Sequence, residues 1–153
     1  MELLEIENEW IEIREIVFEA LDKLPQDVHK WALENLYFLY PPAVFSESIK
    51  NLSSKKGIVF ITEKIKDYSE EEQAYLIAHA IAHRKLNHSI RLREEEAIRL
   101  EREADELAFS WLPFKVMKRL IEKGWKRCDK TGIWYHPRHE MCIQSAFSIY
   151  LFH

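Results

Sequence analysis

Residues 69–88 read SEEEQAYLIAHAIAHRKLNH, and residues 89–111 continue as SIRLREEEAIRLEREADELAFSW. The first run places His79 and His83 four apart on an expected helix, one turn from each other and on one face. Eighteen residues beyond His83, a second helical run carries Glu101 and, four on, Asp105. Two imidazoles from one helix and a carboxylate from another make three protein ligands, the usual number for a catalytic zinc with one position left for water. Asp105 then falls on the face of Glu101, placed to accept the free N–H of a ligand histidine.

Either half of this pattern also has a plain reading. An H-x-x-x-H pair can be two surface residues, and a charged E-x-x-x-D helix is commonly a solvated face stitched by ion pairs. The neighbours favour the joint reading. Ala74, Ala78, Ala80 and Ala82 flank the histidines, and Ala97, Ala104 and Ala108 flank the carboxylates. Small residues on both helices let the backbones approach, as a shared Zn2+ requires. Glu94, Glu95, Glu96 and Glu103 are expected to face solvent. Glu103 is the alternative ligand, and Glu101 is preferred because Asp105 follows it by four.

His79, His83 and the run Glu101-Arg102-Glu103-Ala104-Asp105 resemble the gluzincins, zinc peptidases with H-E-x-x-H and a downstream glutamate. The resemblance is to their smallest members, the minigluzincins, and to membrane-embedded prenyl-protein-type proteases sharing E-x-x-A-D. It covers roughly residues 57–112, about a third of the chain. It implies a zincin-like fold, a peptide or protein substrate, and a strand over 57–65 that borders the cleft. It also implies an oxyanion donor, for which Tyr135, His136 and His139 are candidates by type. Where the family has its glutamate, however, this chain has Ala80. In the family, zinc lowers the pKa of its water towards ~7 while that glutamate moves the proton. Losing a general base costs ~10²–10⁴-fold in rate, so the chain as written should be nearly inert. A deliberately silenced peptidase and a natural zinc-binding pseudo-peptidase, acting as an interaction module, both fit this sequence. If position 80 lines an open cleft, a glutamate there would carry no packing penalty.

Outward from this stretch, the sequence predicts an α+β, mainly helical domain with a small β-hairpin or sheet beside the histidine helix. Leu3, Ile6, Trp10, Ile13, Val17 and Leu21 form one helical face over 2–23, ended by Pro25. A second helix is expected over 26–38, before Pro41-Pro42. Val44–Ile49 and Gly57–Thr62 read as a hairpin within 43–65. Ser69 and Glu72 form a capping box for the histidine helix. Asn87 suits its C-terminal cap, and His88, about 140° round from His83, is expected on the surface or in the cap. A short helix over 114–123 ends at Gly124, and Asp129–Gly132 reads as a turn. The cap over 113–153 carries Cys128, His136, His139 and Cys142, whose spacing fits no established zinc pattern. Residues 133–142 are candidates to cover the cleft and hold a peptidase latent.

The whole chain, residues 1–153, is long enough for one domain. Its 22 basic and 26 acidic residues are interleaved, net charge −4, which argues against nucleic acid as a partner. An acidic start, MELLEIENEWIEI, offers no signal-peptide core, and no apolar run approaches the ~20 residues of a bilayer span. The cytoplasm is the expected compartment. Scarce glycine with abundant Lys, Glu and Ile suits a thermophile. The two cysteines form no framework and are expected as free thiols or a casual pair.

Overall fold

A computed structural model describes residues 2–39, 57–88 and 94–139, with their side chains apart from those of 2–9, 94 and 139. Helix α1 (Glu2–Asp22) buries Ile13, Val17, Ala20 and Leu21 along one stripe, the three- and four-residue spacing of its apolar face. Pro25 opens α2 (Gln26–Asn35), which turns Val28 and Ala32 inward. The expected second helix ends early. Leu36 adopts an extended backbone, and Leu36–Leu39 forms strand β1. A run of bulky and aromatic residues ahead of Pro41-Pro42 fits a strand better than a helix, because proline disfavours helical backbone just before it.

Strand β2 (Gly57–Phe60) is where the sequence places it. It runs parallel to β1, with Leu36 opposite Gly57 and Leu39 opposite Phe60. The Ile61 N–H extends the ladder to the Leu39 carbonyl at 2.8 Å. This parallel pair was not expected, and its strands need a long connection. Val44–Ile49, the expected hairpin partner, lies outside the described residues. Val59 and Phe60 are buried in succession, as a strand covered on both faces should be. Gly57 admits close approach: a Cβ there would lie 2.5 Å from Arg84 Nε.

A 3₁₀ turn (Glu63–Asp67) leads to the capping box. The Glu72 N–H donates to Ser69 Oγ at 3.3 Å, and the Ser69 N–H donates to Glu72 Oε1 at 3.0 Å. Helix α3 (Glu70–Lys85) then crosses the centre of the molecule, with every residue from Ala74 to His83 buried. A helix with no solvent face needs neighbours all round. These are chiefly α4 (Glu94–Trp111), then α1 and α5 (Phe114–Glu122). Ala104 and Ala108 give α4 a narrow stripe of small residues that lets its backbone come close.

Gly124, at φ 102°, ends α5 in a left-handed cap that turns Trp125 into the core. The Trp125 indole packs edge-on against Tyr75 and donates to Glu72 Oε2 at 2.9 Å. Beyond it, β3 (Lys126–Arg127) and β4 (Trp134–Tyr135) pair antiparallel about the expected turn. Among the described residues, no helix is long and apolar enough to cross a membrane. The architecture is α+β and mainly helical, with a small two-stranded parallel sheet.

Candidate metal centre

His79 and His83 project from α3 towards α4, where Glu101 and Asp105 project back. The Nε2 atoms of the two histidines lie 3.0 Å apart. Glu101 brings Oε2 to 2.8 Å from His79 Nε2 and Oε1 to 3.1 Å from His83 Nε2. A tetrahedral ion with ~2.0 Å bonds needs donor atoms about 3.3 Å apart. The observed donors are a few tenths of an ångström inside that spacing, so an ion requires only a small opening of the group. The chemistry also fits, since two imidazoles and a carboxylate are a common zinc donor set. His79, His83 and Glu101 are the residues among those described that can hold a metal ion together.

Asp105, 1 % exposed, stands behind His79. Its Oδ1 lies 2.8 Å from His79 Nδ1, the relation expected from its spacing to Glu101. It also accepts from the Tyr75 hydroxyl through Oδ1 and from the Trp134 N–H through Oδ2 at 2.8 Å. Neither of these partners was expected. Tyr75 was within reach of sequence reasoning, because it precedes His79 by four on the same helix face. The Trp134 contact depends on the β3–β4 hairpin docking against α4, which no local pattern encodes.

The electrostatics follow from this packing. Burial by itself would lower the pKa of His79, but Asp105 and then Glu101 outweigh it and raise it to about 10. Burial lowers that of His83, reinforced by the charge of His79 and opposed by Glu101. Glu101 is held well below the usual carboxylate range by the two histidines, against the effect of its burial. In the metal-free protein, His79 is therefore an imidazolium clasped between two carboxylates. A divalent cation at the same place would substitute for that proton.

His88 lies in the cap of α3, one of the two places expected for it, and not on the surface. It is buried, with Nδ1 3.0 Å from His83 Nδ1 and Nε2 3.1 Å from Glu103 Oε2. The predicted 140° offset assumes a continuing helix, but Asn87 takes φ 57° and turns the chain back. The His88 N–H then reaches the His83 carbonyl at 3.0 Å, and the Asn87 N–H reaches that of Arg84 at 3.1 Å. Glu103 thus serves His88 rather than joining the metal-ligand group. Arg84 Nη1, next to His83 in sequence, is buried with no hydrogen-bond partner among the described residues.

Ala80 has no exposed surface and belongs to the apolar core. Position 80 is thus closely packed, so the condition under which a glutamate there would carry no packing penalty is not met. Of the oxyanion candidates, Tyr135 is half-buried in β4. His136 is buried, its Nε2 bonded to the Lys123 carbonyl at 2.7 Å and its Nδ1 to the Arg138 N–H at 3.0 Å. Both its ring nitrogens are engaged in holding the end of α5 to the hairpin. The His139 side chain and residues 140–142 lie outside those described, as does Cys142; Cys128 is a free thiol. The chain matches no family model, no curated protein and no solved structure.

Proposed function

We propose that this chain is the scaffold of a zinc-dependent metallopeptidase that holds its ion on His79, His83 and Glu101 and lacks its acid–base residue at Ala80. The observation that carries the reading is the convergence of His79, His83 and Glu101, whose neighbouring donor atoms lie 2.8 to 3.1 Å apart, drawn from two helices and backed by buried Asp105. Zinc in such a site supplies a Lewis acid for a peptide carbonyl and a water of lowered pKa. The chain's own residues provide the rest. Asp105 orients His79, Glu101 closes the donor set, and α3 and α4 fix both at short range. Alanine at position 80 has no group to accept or return a proton, so the form described here binds metal without turning over peptide or protein substrates.

A second reading is a zinc-binding interaction module without catalysis. The burial of Ala80 favours it, because a residue lining an open cleft should be wetted. One set of variants separates the two. Purified protein should contain one equivalent of zinc, and His83→Ala and Glu101→Ala should lose it. Stoichiometric zinc persisting in both variants would overturn the ligand assignment. Ala80→Glu, checked for its fold, should then cleave casein in a chelator-sensitive way. A zinc-loaded, folded Ala80→Glu protein that cleaves nothing across a broad peptide library decides for the module.

A further inference from the structure

We propose that the Arg84 guanidinium, seated against Gly57, recognises a carboxylate of a bound peptide. This rests on the reading of the chain as a peptide-binding zinc scaffold, whether or not it turns its ligand over. Arg84 is half-buried near the end of α3, and its Nη1 is buried without a hydrogen-bond partner among the described residues. No carboxylate among the described residues pairs with it, although other half-buried cations are paired. Lys23, with 21 % of its side chain exposed, meets Glu70 at 2.7 Å, and Lys66, with 26 %, meets Glu12 at 3.1 Å. The last turn of a helix attracts a cation, but that attraction requires no burial. Lys85, the next residue, shows as much: it is exposed, its ammonium over the Trp31 ring at 4.3 Å from the centroid. An arginine keeps its charge, so Nη1 is a permanent donor held out of water, which costs stability until something accepts from it.

Gly57 shapes the seat. A Cβ at position 57 would lie 2.5 Å from Arg84 Nε and 2.7 Å from Nη2, so the guanidinium keeps this place only while residue 57 is glycine. Nη1 is the nitrogen farthest from that contact, and so the one left to a ligand. Position 84 also follows position 80 by four, so the two share a face of α3, one turn or about 6 Å apart along its axis. Position 80 is where the acid–base residue would stand. A peptide extended along this face, at about 3.3 Å per residue, brings a group to Arg84 about two residues from the bond that faces position 80. Ala80 and Nη1 are both buried, so a ligand must open this face to bind. The acceptor that suits a guanidinium is a planar carboxylate. A peptide offers one from an Asp or Glu side chain or from its own terminus.

Three pools of dansylated pentapeptides, randomised over neutral residues elsewhere, separate the two sources. One has a central Glu and an amidated end, one is neutral with a free terminus, and one has a central Gln and an amidated end. Binding is read by dansyl anisotropy with the zinc-loaded and the chelator-treated chain. One of the carboxylate pools should bind about 10–100-fold more tightly than the Gln pool in both forms. Preference for the Glu pool assigns a side chain, and preference for the free terminus assigns the chain end. Arg84→Met and Gly57→Ala should abolish the preference, while Arg84→Lys retains part of it. Without peptide, Arg84→Met should melt no lower than the parent, because it removes a buried donor that has no partner. If it melts lower or fails to fold, Gly57→Ala, which leaves every charge in place, decides alone. Equal binding of the three pools overturns the proposal, and so does a preference that survives these two variants. A preference seen only with zinc assigns the carboxylate to the ion and overturns it too. Failure of the parent to load zinc overturns the metal-ligand assignment instead, and the chelator-treated chain still decides Arg84.

Discussion

Asp105 concentrates three donors on one buried carboxylate: the Tyr75 hydroxyl, the His79 ring and the Trp134 N–H. Removing it leaves all three unpaired away from water. Asp105→Ala should therefore cost about 3 kcal/mol or more in urea denaturation, against about 1 kcal/mol for Tyr75→Phe, which removes one donor with its hydroxyl. Equal losses for the two would show that the carboxylate is not the hub. Ala80 poses the opposite problem. With no exposed surface it offers no room for a glutamate, and a carboxylate placed there must displace core atoms and find a polar partner. Ala80→Glu should thus lower the melting temperature of the metal-free protein by several degrees, and zinc should recover part of that loss. An unchanged melting temperature would mean that the position opens readily, as a working cleft must.

At the scale of elements, the ends of α3 decide what its middle can do. Its start was legible in the sequence because the Ser69–Glu72 capping box is a local pattern. The H-x-x-x-H face and the Glu101–Asp105 face were each legible for the same reason, since helical spacing fixes which residues share a face, whereas their meeting was read from the small residues flanking both and from the family resemblance. The burial of the His88 ring against His83 was not legible, because one left-handed residue, Asn87, cancels the periodicity on which the reading depends. Strand β1 was obscured inside a helical run, because its pairing with β2 is a contact across a long connection. The same holds for Trp134 and Asp105, which meet only once the hairpin has docked. Asn87 gives a direct test of the α3 terminus. Asn87→Gly should leave stability within a few tenths of a kcal/mol, whereas Asn87→Val should lose about 1–2 kcal/mol through strain in the left-handed conformation. If the turn also carries the His88 ring to His83, zinc affinity should fall in the valine variant and hold in the glycine variant. Affinity tracking neither substitution would separate the cap from the site.

Across the whole molecule, the candidate centre joins α3 and α4, the most extensively packed pair, so its occupancy should be read out in global stability. In the metal-free protein the join is an imidazolium between carboxylates. His79 has its pKa raised from an ordinary 6.5 to about 10, so its contribution is complete below 6.5 and is lost as pH rises towards 10. Glu101 is shifted the other way: its contribution is present above its ordinary 4.5 and is lost as pH falls. The metal-free protein should therefore be most stable at mildly acidic pH and weaken steadily on the alkaline side. Zinc bound at this group should reverse the alkaline trend: taking the place of the His79 proton, it would release that proton and bind more strongly as protons become scarcer. Because binding to the folded state stabilises it by mass action, the rise in melting temperature caused by zinc should widen from about pH 6 to about pH 9. Paired thermal melts by circular dichroism, with zinc and with a chelator, at matched ionic strength, measure that difference. His83→Ala should retain the alkaline weakening, since His79 keeps its carboxylates, yet show little zinc-induced rise. A zinc-induced rise that is flat with pH would place the ion away from His79, because only a ligand that exchanges its proton for metal ties the two titrations together.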